Sequence, residues 1–192
     1  MKMLQRNAFY AIGGLLLCAS CSSASSSVAQ SRLVAAPPRY APAPIAVSAM
    51  AARLLAAHNR ERLAVGVPQL RWDPALAAAA ASYGPALAAM GRLEHSPRAT
   101  RPGQRENLWM GPRGAYSPEQ MVGSWAQEKA YFRRGIFPNV SSTGNWLDVS
   151  HYTQMIWRST TSLGCAVHQT RTTDYLICRY SPPGNVDGRQ VP

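Results

Sequence analysis

Apolar positions recur at helical spacing from Ser48 to Val65, where Leu54 and Leu55 are followed one turn later by His58. That spacing predicts a helix closed before Gly66. Asp73-Pro74 predicts a second helix start, with Asp as N-cap and Pro at the first helical position. Leu76, Ala80, Tyr83, Leu87 and Met90 then share one face, and Gly84-Pro85 is expected to kink or break the helix. Ser117-Pro118-Glu119-Gln120 is a capping box, and the helix behind it carries Met121, Trp125, Glu128 and Phe132 on one stripe. A short helix is expected from Ser150 or His151 to Trp157. Glu106 opens an expected strand, Glu106-Asn107-Leu108-Trp109.

The pattern switches to alternation after Leu163. Leu163–Gln169, the loop 170–173 and Asp174–Tyr180 read as a hairpin. Pairing Gln169 with Asp174 sets Val167 against Leu176 and Cys165 against Cys178. Opposed strand residues lie at separations a disulfide spans, so a Cys165–Cys178 bridge is expected, two reduced buried thiols being the alternative. Three or four helices followed by a hairpin predict a layered α+β domain over residues 48–192.

The chain ahead of that domain is of another kind. Lys2 and Arg6 precede an apolar run from Ala8 to Leu17, then small residues and Cys21, in the order of an export signal over residues 1–20. The run is shorter than the roughly 20 apolar residues of a membrane-spanning helix. Cleavage before Cys21 would match the end of a bacterial lipoprotein signal and make Cys21 a lipid anchor. Cleavage after Ala29 would release a soluble product. Residues 21–47 are rich in Ser, Ala and Pro and read as a disordered tether or an unselected leader. The product is expected outside the cytoplasm as a secreted, periplasmic or lipid-anchored protein, a compartment that permits the disulfide.

The formal charge of +11 rests almost wholly on arginine. Nucleic acid is an unexpected partner for an exported chain, and anionic envelope surfaces or a solvated basic face fit the charge better. Among the acids, Glu128 lies between apolar residues of its own stripe and needs a partner, an arginine or a functional group. His151 follows the expected N-cap Ser150, and a helix N-terminus favours its neutral, metal-binding form. His95 follows the second helix. No HExxH or paired-cysteine zinc pattern occurs. His58 reads as structural and His168 as solvent-facing.

Four motifs in order carry a resemblance: Glu106-Asn107-Leu108, Trp125-Ala126-Gln127-Glu128, His151–Arg158 (HYTQMIWR) and Leu163–Val167 (LGCAV). Over roughly residues 50–185 the chain resembles the CAP superfamily of pathogenesis-related and cysteine-rich secretory proteins. That resemblance implies an α-β-α sandwich and a central cleft. It assigns His95 and His151 as ligands of a divalent metal, zinc being one choice, and Glu106 and Glu128 as acids, candidate catalytic acid/base groups. Arg105 and Ser150 stand where the superfamily commonly has Gly. The implied function is a binding module whose surface engages a lipid, a sterol-like molecule or an envelope component, with a possible membrane tether through the N-terminal lipid. The other reading is a metal-dependent hydrolase using the same four residues, against which stands the three-ligand habit of catalytic zinc. An apolar groove away from the four residues would favour binding.

Overall fold

The computed structural model describes residues 48–192, so the export signal, the Cys21 anchor and the tether lie outside the described residues. The first three α-helices are each closed at their start by the side chain their sequence offers. α1 (Ala49–Ala64) is capped by Ser48, whose Oγ accepts from Ala51 N at 3.2 Å. β1 (Arg71–Trp72) leads into α2 (Pro74–Met90), where Asp73 Oδ1 accepts from Ala75 and Leu76. β2 spans Arg105–Pro112. α3 (Pro118–Ala126) begins with the full capping box: Gln120 N donates to Ser117 Oγ, and Ser117 N to Gln120 Oε1. β3 (Gly135–Ile136), α4 (Ser150–Met155), β4 (Ser162–Gln169), β5 (Thr173–Ser181) and β6 (Gln190–Val191) complete the order.

The main sheet runs β1-β4-β5-β2, and β3 pairs with β6 in a separate ribbon. β4 and β5 form the expected hairpin in the expected register, with Val167 opposite Leu176 and Cys165 opposite Cys178. The two cysteines are bridged. Alternation along β5 divides the molecule into layers. Leu176, Cys178 and Tyr180 face a core shared with Leu54, Trp125, Tyr152 and Met155 of α1, α3 and α4. Tyr175 and Ile177 face Ala80 and Leu87 of α2, together with Leu108. The result is an α-β-α sandwich with α2 alone on one side.

Close approach of α2 to the sheet depends on two glycines. A Cβ at Gly164 would sit 2.2 Å from Ala77 N, and one at Gly84 would sit 2.5 Å from His168 Cβ. Side chains there would push the layer off the sheet.

Four expectations are corrected. Of the kink or break expected at Gly84-Pro85, the break does not occur: α2 runs unbroken to Met90. Pro85 and Ala81 are both exposed, so water reaches the backbone carbonyl that Pro85 cannot bond. Glu128 and Phe132 are not on the α3 stripe, because the helix ends at Ala126 and Glu128 sits in the 3-10 turn Gln127–Ala130. The short helix stops at Met155, and Val149 rather than Ser150 is its N-cap residue. His168 does alternate with Val167, but the face it points to is covered by α2 at Gly84, so it is half-buried.

Candidate functional site

β2 is one edge strand of the main sheet, and the site is built around its first residues. Successive strand side chains point to opposite faces. Glu106 points to the α2 side, where β5 places Arg179 directly across from it. Arg179 Nη2 lies 3.0 Å from Glu106 Oε2. The segment after α2 supplies the other partners. His95 Nδ1 and Ser96 N reach Oε1 at 2.8 and 3.0 Å, and Ser96 Oγ donates to Oε2 at 3.1 Å. The Glu106 side chain is 0% exposed. Burial raises its carboxyl, but the His95 hydrogen bond, the Arg179 charge and the Ser96 N–H outweigh it, and the group titrates below its ordinary value.

Asn107 points the other way and secures the second histidine. Its Nδ2 donates to the carbonyl of His151 and to the Tyr180 hydroxyl, both at 3.1 Å. His151 stacks on Trp125 with ring centroids 5.9 Å apart, and Trp125 Nε1 donates to the Leu108 carbonyl. Glu128 Oε1 meets His151 Nδ1 at 2.5 Å, while Oε2 accepts from the backbone N–H groups of His151 and Tyr152. The carboxylate therefore closes the start of α4 and orients the ring in one step. Among the described residues no arginine pairs with it, and its side chain is 19% exposed. The arginine partner belongs to Glu106 instead.

The four residues thus form two carboxylate–imidazole pairs, one from each layer. His95 and His151 line a common cleft of about 190 Å³ together with Glu106 and Ser150. With the rings neutral, an Nδ1–H donating to the carboxylate leaves Nε2 as the lone-pair atom in each pair. That tautomer is the one that binds metal, with the carboxylate in the outer shell. The donor set fits a divalent ion held by two imidazoles. Among the described residues, no group of three or more His, Cys, Asp or Glu is placed to hold one.

The two departures from the superfamily pattern cause no local strain. Ser150 has φ −67°, an ordinary helical value that needs no glycine. Arg105 turns to the carbonyls of Gly184 and Asn185, donating from Nε at 3.1 Å and Nη2 at 3.3 Å. The cleft wall is then strapped to α4: Asn185 Nδ2 donates to the Ser150 carbonyl and Thr153 Oγ1 donates to Asn185 Oδ1.

Two supporting groups had no place in the sequence reading of the site. Arg62 is fully buried and donates to four carbonyls: Pro68, Met155, Trp157 and Thr160. It fixes the end of α4, and burial lowers its pKa to about 10. Its position one turn after His58 and two after Leu54 is the signal that places it inward. His58 itself donates from Nδ1 to the Leu54 carbonyl and accepts from the Tyr180 hydroxyl, each at 2.8 Å. Burial lowers the His58 pKa to about 4 and pushes the Tyr180 phenol well up. Both roles are structural, as expected for His58.

A second concavity lies elsewhere. Among the described residues β1 covers only Ser162 and Leu163 of β4, leaving the rest of that edge open. There α1, α2 and β4 enclose a groove of about 760 Å³. Ala51, Leu54, Ala77, Ala81, Ala166 and Val167 line it, and among the described residues no charged side chain does.

Comparison with known proteins accords with this architecture. The family model described as "CAP: Cysteine-rich secretory protein family" matches residues 55–180. Pathogenesis-related protein 1C of Nicotiana tabacum is 39% identical over 137 residues, 70% of this chain and 76% of that protein. The Secreted protein RBT4 of Candida albicans is 33% identical over 143 residues, 72% of this chain but 36% of that protein. Among solved structures, "Crystal structure of NaASP2 with Zn2+" has a TM-score of 0.64 at 24% identity, covering 76% of this chain and 86% of that one. That likeness is one of fold.

Proposed function

This chain belongs to the cysteine-rich secretory protein (CAP) family, and from that footing we propose that it is an exported binding module that holds an acyl chain in the α1–α2 groove and a divalent metal between His95 and His151. The groove carries the reading. Its volume of about 760 Å³ falls within the range of small-molecule sites, and its lining is apolar with Ser48 and Gln169 as polar groups. An acyl chain buries only methylenes, each contributing about 0.8 kcal/mol, and asks for no ionic partner inside. A sterol-like ring system would compete for the same lining.

The metal would be held by the two Nε2 atoms, with water or ligand oxygen completing its shell. When bound it would supply Lewis acidity to an oxygen ligand. Glu106 and Glu128 orient the rings. All four Glu106–partner contacts and all three Glu128–partner contacts occupy oxygens that a general base would need free. This supports binding over the metal-dependent hydrolase. Export agrees with the disulfide and with the secretory description of the family.

The test is titration with a fluorescent fatty acid, wild type against Ala77→Trp, which fills the groove from α2. Saturable binding weakened roughly tenfold or more by the substitution supports the reading. Binding unchanged by it, or absent from the wild type, sinks it.

A further inference from the structure

The His cleft carries a cationic lining that neither the acyl groove nor the metal explains. Arg98, Arg101 and Arg105 all line it. Arg101 is 7% exposed, yet its guanidinium meets only carbonyls, Nε with Ser96 at 3.0 Å and Nη1 with Gln104 at 3.2 Å. Arg105 is likewise bonded to carbonyls, and Arg98 is exposed and makes no side-chain hydrogen bond among the described residues.

A buried charge without a counter-charge is expensive, so the acids decide the matter. The chain has nine, and every one falls at Glu61 or later, inside the described residues. None comes within ion-pair distance of these three arginines. Glu106, the acid on the same cleft, is already taken by Arg179, Ser96 and His95. Asp187 acts on Arg105 only at longer range. Burial and the charges of Arg98 and Arg101 all depress the Arg105 pKa, as three cations converging on one space must. Arg98 as a whole, Nη2 of Arg101 and Nη1 of Arg105 remain as donors.

We propose that the His95–His151 cleft is a receptor for a phosphate-class oxyanion, held by Arg98, Arg101 and Arg105. Several guanidinium forks facing a cleft of about 190 Å³ match the many acceptor oxygens and multiple charge of phosphate better than a single carboxylate. The proposal is independent of the acyl groove and of any metal.

Calorimetric titration with inorganic phosphate, in chelator throughout, tests it on the protein purified from an expressing host. The wild type should bind one equivalent. Arg98→Gln, at a position whose side chain makes no hydrogen bond among the described residues, should weaken binding roughly tenfold, and Arg98→Gln/Arg105→Gln further. Arg171→Gln, on the exposed β4–β5 loop, should leave it unchanged. No saturable phosphate binding, or equal weakening by Arg98→Gln and Arg171→Gln, overturns the proposal. Phosphatidylglycerol vesicles, compared with phosphatidylcholine vesicles, identify the source of the phosphate. Vesicle binding displaced by inorganic phosphate makes it a lipid headgroup. Phosphate binding without vesicle binding makes it a soluble phosphate. Vesicle binding that phosphate does not displace and Arg98→Gln does not weaken counts against the cleft as the receptor.

Discussion

Glu106 and Asn107 are neighbours on β2, yet each secures a different histidine: Glu106 Oε1 takes Nδ1 of His95, and Asn107 Nδ2 takes the carbonyl of His151. The strand's alternation is what lets one dipeptide reach both layers of the sandwich. Leu108 continues the pattern, burying its side chain under α2 while its carbonyl accepts from Trp125. The histidines are therefore held by backbone and carboxylate contacts that precede any ligand.

Loss of the Glu128 carboxylate should loosen the proposed metal site without removing either proposed ligand. In Glu128→Gln one of the two oxygens becomes a donor, so either the His151 ring or the start of α4 loses its acceptor. Zinc affinity should fall roughly 10–100-fold, against complete loss in His151→Ala. Calorimetric zinc titration of both variants checks this, and an unchanged affinity in Glu128→Gln would remove its orienting role.

Glu106→Gln should act mainly on stability. It leaves the Arg179 guanidinium buried with no opposite charge, and the Arg179 Nε already has no hydrogen-bond partner. Breaking one side of a buried pair is worth about 3–5 kcal/mol. Urea unfolding should show a loss of that order. A loss below about 1 kcal/mol would mean the pair is solvated in solution.

Arg62→Leu removes the donor for four carbonyls at once. Each buried acceptor left unmade costs about 1–3 kcal/mol, and partial relaxation keeps the sum below simple addition. The variant should be destabilised by several kcal/mol or fail to accumulate folded. Thermal unfolding near the wild-type midpoint would contradict the structural role.

Acid should weaken the fold through His58. The His58 pKa is lowered from 6.5 to about 4 by burial. The unfolded chain therefore takes up this proton first, so the contribution is complete above about pH 6.5 and is lost as pH falls toward 4. The difference corresponds to about 3 kcal/mol. Glu106, whose carboxyl titrates below its ordinary value, adds a loss of the same sign further into acid. Stability measured between pH 7 and 4 should slope downward, and the slope over 6.5 to 4 should flatten in His58→Gln.

Reduction of Cys165–Cys178 opens a loop with a sequence separation of 13. Closure of a loop that size contributes about 3 kcal/mol in the chain-entropy account. The oxidised protein should gain the mass of two hydrogens on reduction and unfold at lower urea concentration. An unchanged mass would leave the thiols free.

Local rules carried much of this protein. The caps at Asp73 and Ser117 and the register that opposes Cys165 to Cys178 depend on neighbours in sequence, and they stand as read. Motif order pointed to His95, Glu106 and His151, which line the cleft, and to Glu128, which stands behind His151 outside that lining. What alternation along a strand cannot tell is which faces are covered. His168 read as exposed because α2 lies far off in sequence, and Glu128 read as buried because the end of α3 was not marked by a breaker. The pairing of Glu106 with Arg179 needs β2 beside β5. The gathering of Arg98, Arg101 and Arg105 on the cleft, and the groove left where β1 stops short along β4, likewise come from the packing of layers. Short-range spacing determined the elements and the chemistry available. Burial and long-range contact decided which charges found partners and which were left facing a cleft.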